Sequence, residues 1–461
     1  MAALWDRREA EPERSAYLNV VLGCVTSTPL ENLQCSVSPT SAIPLTGTTM
    51  RNVLAGIFLF GLVSTALPAN GYSVLTHEAI VDSAWNSDIK PLLLRRFPVA
   101  SADNLRKAQA YAYGGAIIQD MGYYPFGSKL FTDLTHYVRS GDFVLNLLGE
   151  AQDLNEYAFA LGSLAHFAAD NHGHPVAINR AVPMMFAKLK NKFGPVVTYA
   201  DNPAAHLRVE FSFDVIQVAQ GHYAPEAYHD FIGFQVAKSV LERAFAKTYS
   251  IEMASVFRSE DLAIGTYRYI ISSVVPTMTK AAWSLKQDEI RKAQPSLTEA
   301  TFIYNASRAD YNKEWGQTYQ RPGVAARFVA FIIRIVPKVG PFRKLGFKQP
   351  PAGAETIFMR SFNETVDQYR ELLAAHRAGT LKLPNENVDV GELTQPGRYR
   401  LADDAYAKLV DKLKGKHISS ELRANILAFY SDLDAPFATK RDRKAWARLL
   451  AELNTLKADA L

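Results

Sequence analysis

Cysteine is almost missing. The 461-residue chain has two, Cys24 and Cys35, and both precede a short apolar run that reads as an export signal. A body freed of that run has no thiol, which excludes a disulfide framework and any thiolate metal site. There is no Gly-rich phosphate loop, no Gly-x-Ser-x-Gly elbow, no internal repeat and no strand-rich region. That leaves little support for nucleotide hydrolysis on a phosphate loop or for serine-hydrolase chemistry. Charge of either sign is not in large excess: 51 Lys and Arg face 46 Asp and Glu, a net +5. Such a balance suits an anionic substrate or membrane surface without demanding one. At 48% apolar and 21% charged, the chain has an ordinary globular composition with ample core.

The apolar run is Val53–Leu67, preceded by Met50-Arg51-Asn52 and followed by Pro68-Ala69-Asn70-Gly71. A charged start, an apolar centre of about 15 residues and small residues at its end are the parts of a signal peptide. It is short for a membrane span. Residues 1–49 are polar and aperiodic and read as a non-native or disordered leader, with translation starting at Met50. The expectation is therefore a leader at 1–49, a signal peptide at 50–71, a catalytic helical domain at 72–295 and a helical C-terminal extension at 296–461. The protein is expected to be secreted or periplasmic. Cleavage after Gly71 frees the Tyr72 amine, whose pKa of about 8 lets a metal displace its proton near neutral pH.

What the chain does have is histidine in one region. Eight of its ten histidines lie between His77 and His229. The central stretch runs Ala160-Leu-Gly-Ser-Leu-Ala-His166-Phe-Ala-Ala-Asp170-Asn-His172-Gly-His174-Pro175. Positions i and i+4 stack on one helix face, so His166 and Asp170 share a stripe, and zinc is the usual occupant of such N/O sets. A helix over Leu154–Asp170 is expected, stopped by Gly173 and Pro175, with His174 at its end or in the turn beyond. Asn104–Gln119 reads as a helix delivering Asp120, and His136 follows an aromatic loop. A long connection from Asn171 to Asn202 leads to a helix capped by Asn202, with His206 and Glu210 at i and i+4. His77 falls in the first turn of a helix capped by Thr76. Further helices are expected after Pro225 and at Phe358–Arg377, Asp403–Leu413, Ser420–Tyr430 and Trp446–Leu456, with Pro- and Gly-containing loops around Leu383–Tyr399. The segment 324–351 mixes Phe and Ile with Arg and Lys and has no acidic residue. It reads as a buried helix with a basic loop, or as an interfacial amphipathic stretch.

In order, the candidates are the Tyr72 amine, His77, Asp120, His136, His166, Asp170, His174, His206 and Glu210. The order resembles the zinc-dependent phospholipase C family and the related single-strand-specific fungal and plant nucleases. The strings Thr76-His-Glu-Ala-Ile, Gln119-Asp-Met-Gly-Tyr-Tyr-Pro, Leu134-Thr-His-Tyr-Val-Arg-Ser-Gly-Asp and Gly173-His-Pro look like its bacterial branch. The resemblance implies an all-α multi-helix bundle holding up to three zinc ions. One would take Asp120, His136, His166 and Asp170; a second His174, His206 and Glu210; a third the Tyr72 amine and carbonyl, His77 and a bridging Asp170. Two positions depart from the family. Its first mature residue is commonly Trp where this chain has Tyr72. Its next His commonly comes six residues after the central Asp, where this chain has Val176. His172 and His174 are the imidazoles at hand, and i+4 spacing favours His174.

Zinc brings the pKa of bound water toward 7, with Asp120 as the group to orient or deprotonate it. The expected activity is hydrolysis of glycerophospholipids to diacylglycerol and a phosphorylated headgroup at a membrane surface. Tyr123, Tyr124, Phe126, Tyr137 and Phe167 are candidate headgroup contacts or core. The alternatives are a single-strand nuclease and a non-catalytic zinc-binding envelope protein. No specific nucleic-acid partner is expected.

Overall fold

A computed structural model describes residues 73–220, 234–271 and 347–458, with isolated positions between 283 and 299. These all belong to one compact unit. The leader, the export segment, Tyr72 and most of the basic stretch 324–351 lie outside the described residues.

The described chain is helical almost throughout, as expected for an all-α bundle. Its helices are α1 (Val74–Ala84), α2 (Lys90–Arg96), α3 (Ala102–Ile117), α4 (Lys129–Tyr137), α5 (Ser140–Glu150), α6 (Leu154–Gly173), α7 (Asn179–Met185), α8 (Ala187–Phe193), α9 (Pro203–Ala219), α10 (Lys238–Tyr249), α11 (Glu260–Tyr269), α12 (Ala352–Ala378), α13 (Arg400–Leu413), α14 (Ser420–Phe429) and α15 (Arg443–Ala458). One two-stranded ribbon joins them, β1 (Glu386–Asn387) antiparallel to β2 (Glu392–Leu393).

The bundle is organised around the crossing of α3 and α6. Gly115 and Gly162 let the two backbones touch: a Cβ at Gly115 would lie 1.8 Å from the Phe159 carbonyl oxygen, and one at Gly162 would lie 1.9 Å from that of Ala112. No residue larger than glycine fits at either place, and this closeness sets the distance between Asp120 and His166. Around the crossing, Leu161, Leu164, Ala165 and Ala168 of α6 are buried, the apolar stripe that helical spacing requires. The C-terminal helix α12 covers α6 from outside. Its Tyr369 hydroxyl donates to the Leu161 carbonyl at 2.9 Å, and Phe358 stacks on Phe213 at 4.2 Å.

Three local expectations are corrected. The chain does not stop at Gly173 and Pro175: α6 passes into a wide π turn at His174–Ile178 and on into α7. Pro175 sits in the first turn of that wider stretch, where its missing N–H costs little. The stretch from Asn171 to Asn202 is accordingly not a plain connection but holds α7 and α8. Thr76 is not the cap of α1. Ser73 occupies that position, while Thr76 donates its hydroxyl to the Asp214 carboxylate at 2.6 Å and its N–H at 3.0 Å. Asp214 also accepts from the Leu75 N–H at 2.9 Å. The orphan donors of the first turn are thus satisfied from α9. The cap at Asn202 holds as expected, its side-chain oxygen accepting from the Ala205 N–H at 3.0 Å.

Candidate metal centre

The candidates that fall on described residues come from six elements, and all are buried. His77 (α1), Asp120 (the 3-10 turn after α3), His136 (α4), His166 and Asp170 (α6), His174 (the π turn), and His206 and Glu210 (α9) are each no more than 2% exposed. Seven of them form two groups whose donor atoms converge, Asp120, His136, His166 and Asp170 in one and His174, His206 and Glu210 in the other, while His77 stands beside the first. In each, the donor atoms lie within 4.8 Å of one another. Tyr72 lies outside the described residues, so the place of its amine is not described.

In the first group, His136 Nε2 lies 3.2 Å from Asp120 Oδ1 and 3.4 Å from Asp170 Oδ2. His166 Nε2 lies 3.1 Å from Asp170 Oδ2 and 3.9 Å from Asp120 Oδ1. His77 Nε2 approaches the other side of Asp170, 3.5 Å from Oδ1, and its ring stacks on His166 at 4.6 Å. Among the described residues no donor is aligned for a hydrogen bond to the carboxylate oxygens of Asp120 and Asp170.

The far sides of the rings explain why. His136 Nδ1 lies 2.9 Å from the Thr132 carbonyl oxygen, and His166 Nδ1 lies 2.8 Å from that of Ala116. A carbonyl only accepts, so both Nδ1 atoms carry the proton, and a neutral ring then presents a lone pair at Nε2. Those two Nε2 atoms stand 3.4 Å apart, facing two carboxylates. Lone pairs gathered on one point, each imidazole braced from behind by a carbonyl, are what a bound cation requires.

In the metal-free protein the electrostatics favour a second proton on these two rings. Burial pulls His136 down, but Asp120 and Asp170 outweigh it and push it up to about 10. His166 is raised for the same reason, burial being overcome by Asp170 and Asp120. Asp170 is opposed by burial yet held well below the carboxylate range by His166 and His174. Asp120 is raised by burial, which His166 and His136 only partly offset. His77 is pushed down to about 3 by burial and by His166. Without a cation, protons hold this group together; a metal would displace them.

In the second group, His206 Nδ1 lies 2.7 Å from Glu210 Oε1, and its Nε2 lies 2.7 Å from Asn179 Oδ1. Asn179 Nδ2 donates to the Asp389 carbonyl at 2.8 Å, which fixes the amide so that its oxygen meets His206. Nε2 of His206 is therefore the donor. Burial and the neighbouring His174 push His206 well below its usual value, so the ring is neutral and its Nδ1 lone pair faces Glu210. Among the described residues neither ring nitrogen of His174 has a hydrogen-bond partner, and the ring stacks on His206 at 5.3 Å. It also links the groups, Nε2 lying 3.8 Å from Asp170 Oδ2. His172 points elsewhere, to Glu364 at 2.8 Å on the partly exposed face. The structure thus places His174, not His172, at the centre.

Of the aromatic candidates, Tyr123, Tyr137 and Phe167 are buried. Tyr123 meets the edge of His136 at 5.9 Å. Tyr124 packs against the core beside Tyr267, and Phe126, 37% exposed, adopts a left-handed φ of 67°. Sequence reasoning missed Asn179 and Asp389. Neither stands at a telling spacing from the histidines; Asp389 comes more than 170 residues after Glu210.

No curated protein and no solved structure matches the chain. A family model does, that of zinc-dependent phospholipase C, over residues 76–259. The match begins at Thr76, beside His77, and takes in every candidate that the structure brings together. Over residues 76–259 the chain is similar to the zinc-dependent phospholipase C family.

Proposed function

We propose that the protein is an exported phosphodiesterase of the phospholipase C type. It cleaves glycerophospholipids at a membrane surface to diacylglycerol and a phosphorylated headgroup. The observation that supports this best is the convergence of two buried donor sets inside the family-matched segment. Export rests on the signal-like residues 50–71, which lie outside the described part. Among the described residues no helix is long and apolar enough to cross a membrane.

In this reading Asp120, His136, His166 and Asp170 would hold one zinc, and His174, His206 and Glu210 a second. His77, Asp170 and the Tyr72 amine and carbonyl would hold a third. Zinc, when bound, polarises a phosphoryl oxygen and lowers the pKa of water. The chain supplies the rest. Asp120 stands at the edge of the first group, its carboxyl raised by burial, where it can take a proton from the attacking water. Asp170, in reach of His77, His136, His166 and His174, keeps the donor sets at a fixed separation. The Thr132 and Ala116 carbonyls hold two imidazoles in the required tautomer. Asn179 does the same for His206.

The test pairs two substrates with a metal count. Protein starting at Tyr72 should hold zinc tightly, hydrolyse phosphatidylcholine vesicles and lose that activity to a chelator. Cleavage of single-stranded DNA with no lipid hydrolysis would replace this reading with the nuclease one. Zinc held without either activity would favour the non-catalytic alternative.

A further inference from the structure

The second donor set has a neighbour from outside the family-matched segment. Asp389 belongs to the bend between β1 and β2, and only 3% of its side chain is exposed. Its Oδ2 accepts from the Tyr137 hydroxyl at 2.7 Å and from the Tyr399 hydroxyl at 2.5 Å. Its Oδ1 faces His174 Nε2 at 3.6 Å.

The β1–β2 ribbon is stitched to the elements that carry the site. Val388 donates its N–H to the His136 carbonyl at 3.2 Å. Ser140 donates to the Glu386 carbonyl at 2.6 Å, and Thr394 to that of Tyr137 at 2.9 Å. At the turn, Gly391 has a left-handed φ of 66°, and a Cβ there would lie 2.5 Å from the Asn171 carbonyl oxygen. The ribbon is seated tightly against the end of α6, and Asp389 is held rather than draped over the site.

We infer that Asp389 Oδ1 is a metal donor alongside His174, so that the C-terminal region contributes a ligand on the His174 side of the site. This rests on the metal-binding reading above. Three observations carry it. A buried carboxylate needs a positive partner, and among the described residues no Lys or Arg lies within ion-pairing distance of Asp389. The imidazole it faces is itself buried, and among the described residues neither of its ring nitrogens has a hydrogen-bond partner. The 3.6 Å between the two atoms is too long for a hydrogen bond. Two donors on one tetrahedral zinc, each bonded at about 2.0–2.2 Å, stand about 3.4 Å apart. The two tyrosines occupy Oδ2 and so aim Oδ1, much as outer partners orient ligating carboxylates elsewhere. Asn179 couples the same residue's backbone to His206, so the ribbon braces two of the three donors on this side.

Metal content and spectra test this without relying on activity. Wild type, Asp389→Asn and Tyr399→Phe are dialysed against buffered free zinc, and zinc per chain and affinity are measured by chelator competition. Cobalt(II) is then substituted and its visible absorption recorded. Asp389→Asn should lose one zinc per chain, or weaken one site at least ~10-fold, and change the cobalt spectrum. Tyr399→Phe removes a hydrogen bond to Oδ2 but leaves Oδ1, and should keep the zinc count. Unchanged zinc and spectrum in Asp389→Asn would overturn the inference. So would equal zinc loss in both variants, since Asp389 would then act only by seating the ribbon. If Asp389→Asn does not fold, Asp389→Glu keeps the charge and moves the donor by one methylene. Its cobalt spectrum should differ from wild type, and an identical one counts against the inference. A wild type that binds no zinc would sink the metal reading itself, a separate outcome from these.

Discussion

His136 and His166 point their Nε2 atoms at each other across 3.4 Å, and neither ring can rotate to avoid the other. Each is pinned from behind by a backbone carbonyl. Both pins come from the fold itself: Thr132 is one helical turn before His136, and Ala116 lies on α3 at its crossing with α6. Asp170 is the residue that both rings share. Asp170→Asn replaces half of its acceptor capacity with a donor aimed at imidazoles. It should remove bound zinc and cut phosphodiesterase activity by at least ~10²-fold, more than loss of an outer partner costs. Zinc content by mass spectrometry and initial rates on phosphatidylcholine vesicles check both effects.

Asn179 touches no substrate in the proposed scheme, yet it sets the protonation side of His206. Asn179→Ala should weaken zinc binding about 10–100-fold while leaving the helical content unchanged. Zinc titration followed by circular dichroism at fixed wavelength separates the two quantities. Asn179→Asp turns the Asp389-facing donor into an acceptor and should be worse than Ala.

The metal-free protein should be acid-labile in a way traceable to His77. Its folded pKa is about 3, below the unfolded value of about 6.5. Between these values the unfolded chain binds more protons than the folded one, so stability falls as pH drops from about 6.5 toward 3. His136 has the opposite sign: its folded value of about 10 gives stability that is complete below about 6.5 and lost as pH rises toward 10. Thermal unfolding in chelator from pH 4 to 9 should show both flanks. His77→Gln should make the acid flank shallower, the rest of it coming from His206, and leave the alkaline flank as it is; an unaltered acid flank would refute the assignment.

Gly162→Ala puts a methyl 1.9 Å from a carbonyl oxygen. Overpacking of this kind should cost about 3 kcal/mol or more, and the forced separation of α3 from α6 moves Asp120 away from His166. Denaturant unfolding gives the first effect and zinc content the second. Gly149, with nothing within 4 Å among the described residues, is the control: Gly149→Ala should leave zinc content unchanged and stability unchanged or higher by up to about 1 kcal/mol.

Much of this was legible in the residue order. His166 and Asp170 could be placed on one helical stripe because four-residue spacing is local geometry, and the same held for His206 and Glu210 with Asn202 as cap. The helices of the C-terminal region were likewise readable from their apolar periods. The π turn was not, because Gly173 and Pro175 are the usual signs of a helix end, and only the packing of α7 against the core keeps the chain coiling past them. Ser73, rather than Thr76, begins α1, since Thr76 is recruited by Asp214 across a gap of 138 residues. Asp389 carried no signal at all. A carboxylate in a short bend between Pro- and Gly-containing stretches looks like any loop acid until the ribbon is docked.

The wide turn at His174–Ile178 has a consequence for how variants of this chain should be read. Each residue in a π turn advances the chain around its axis by less than one in an α-helix does, so the turn resets the phase of all that follows. Adding a single residue there, an alanine after Ala177 for instance, would spare every metal-binding side chain named above. Yet it would swing Asn179 out of line with His206 and strip the amide from the imidazole it steadies. Such an insertion would pass any inspection confined to the donors themselves and still disable the site.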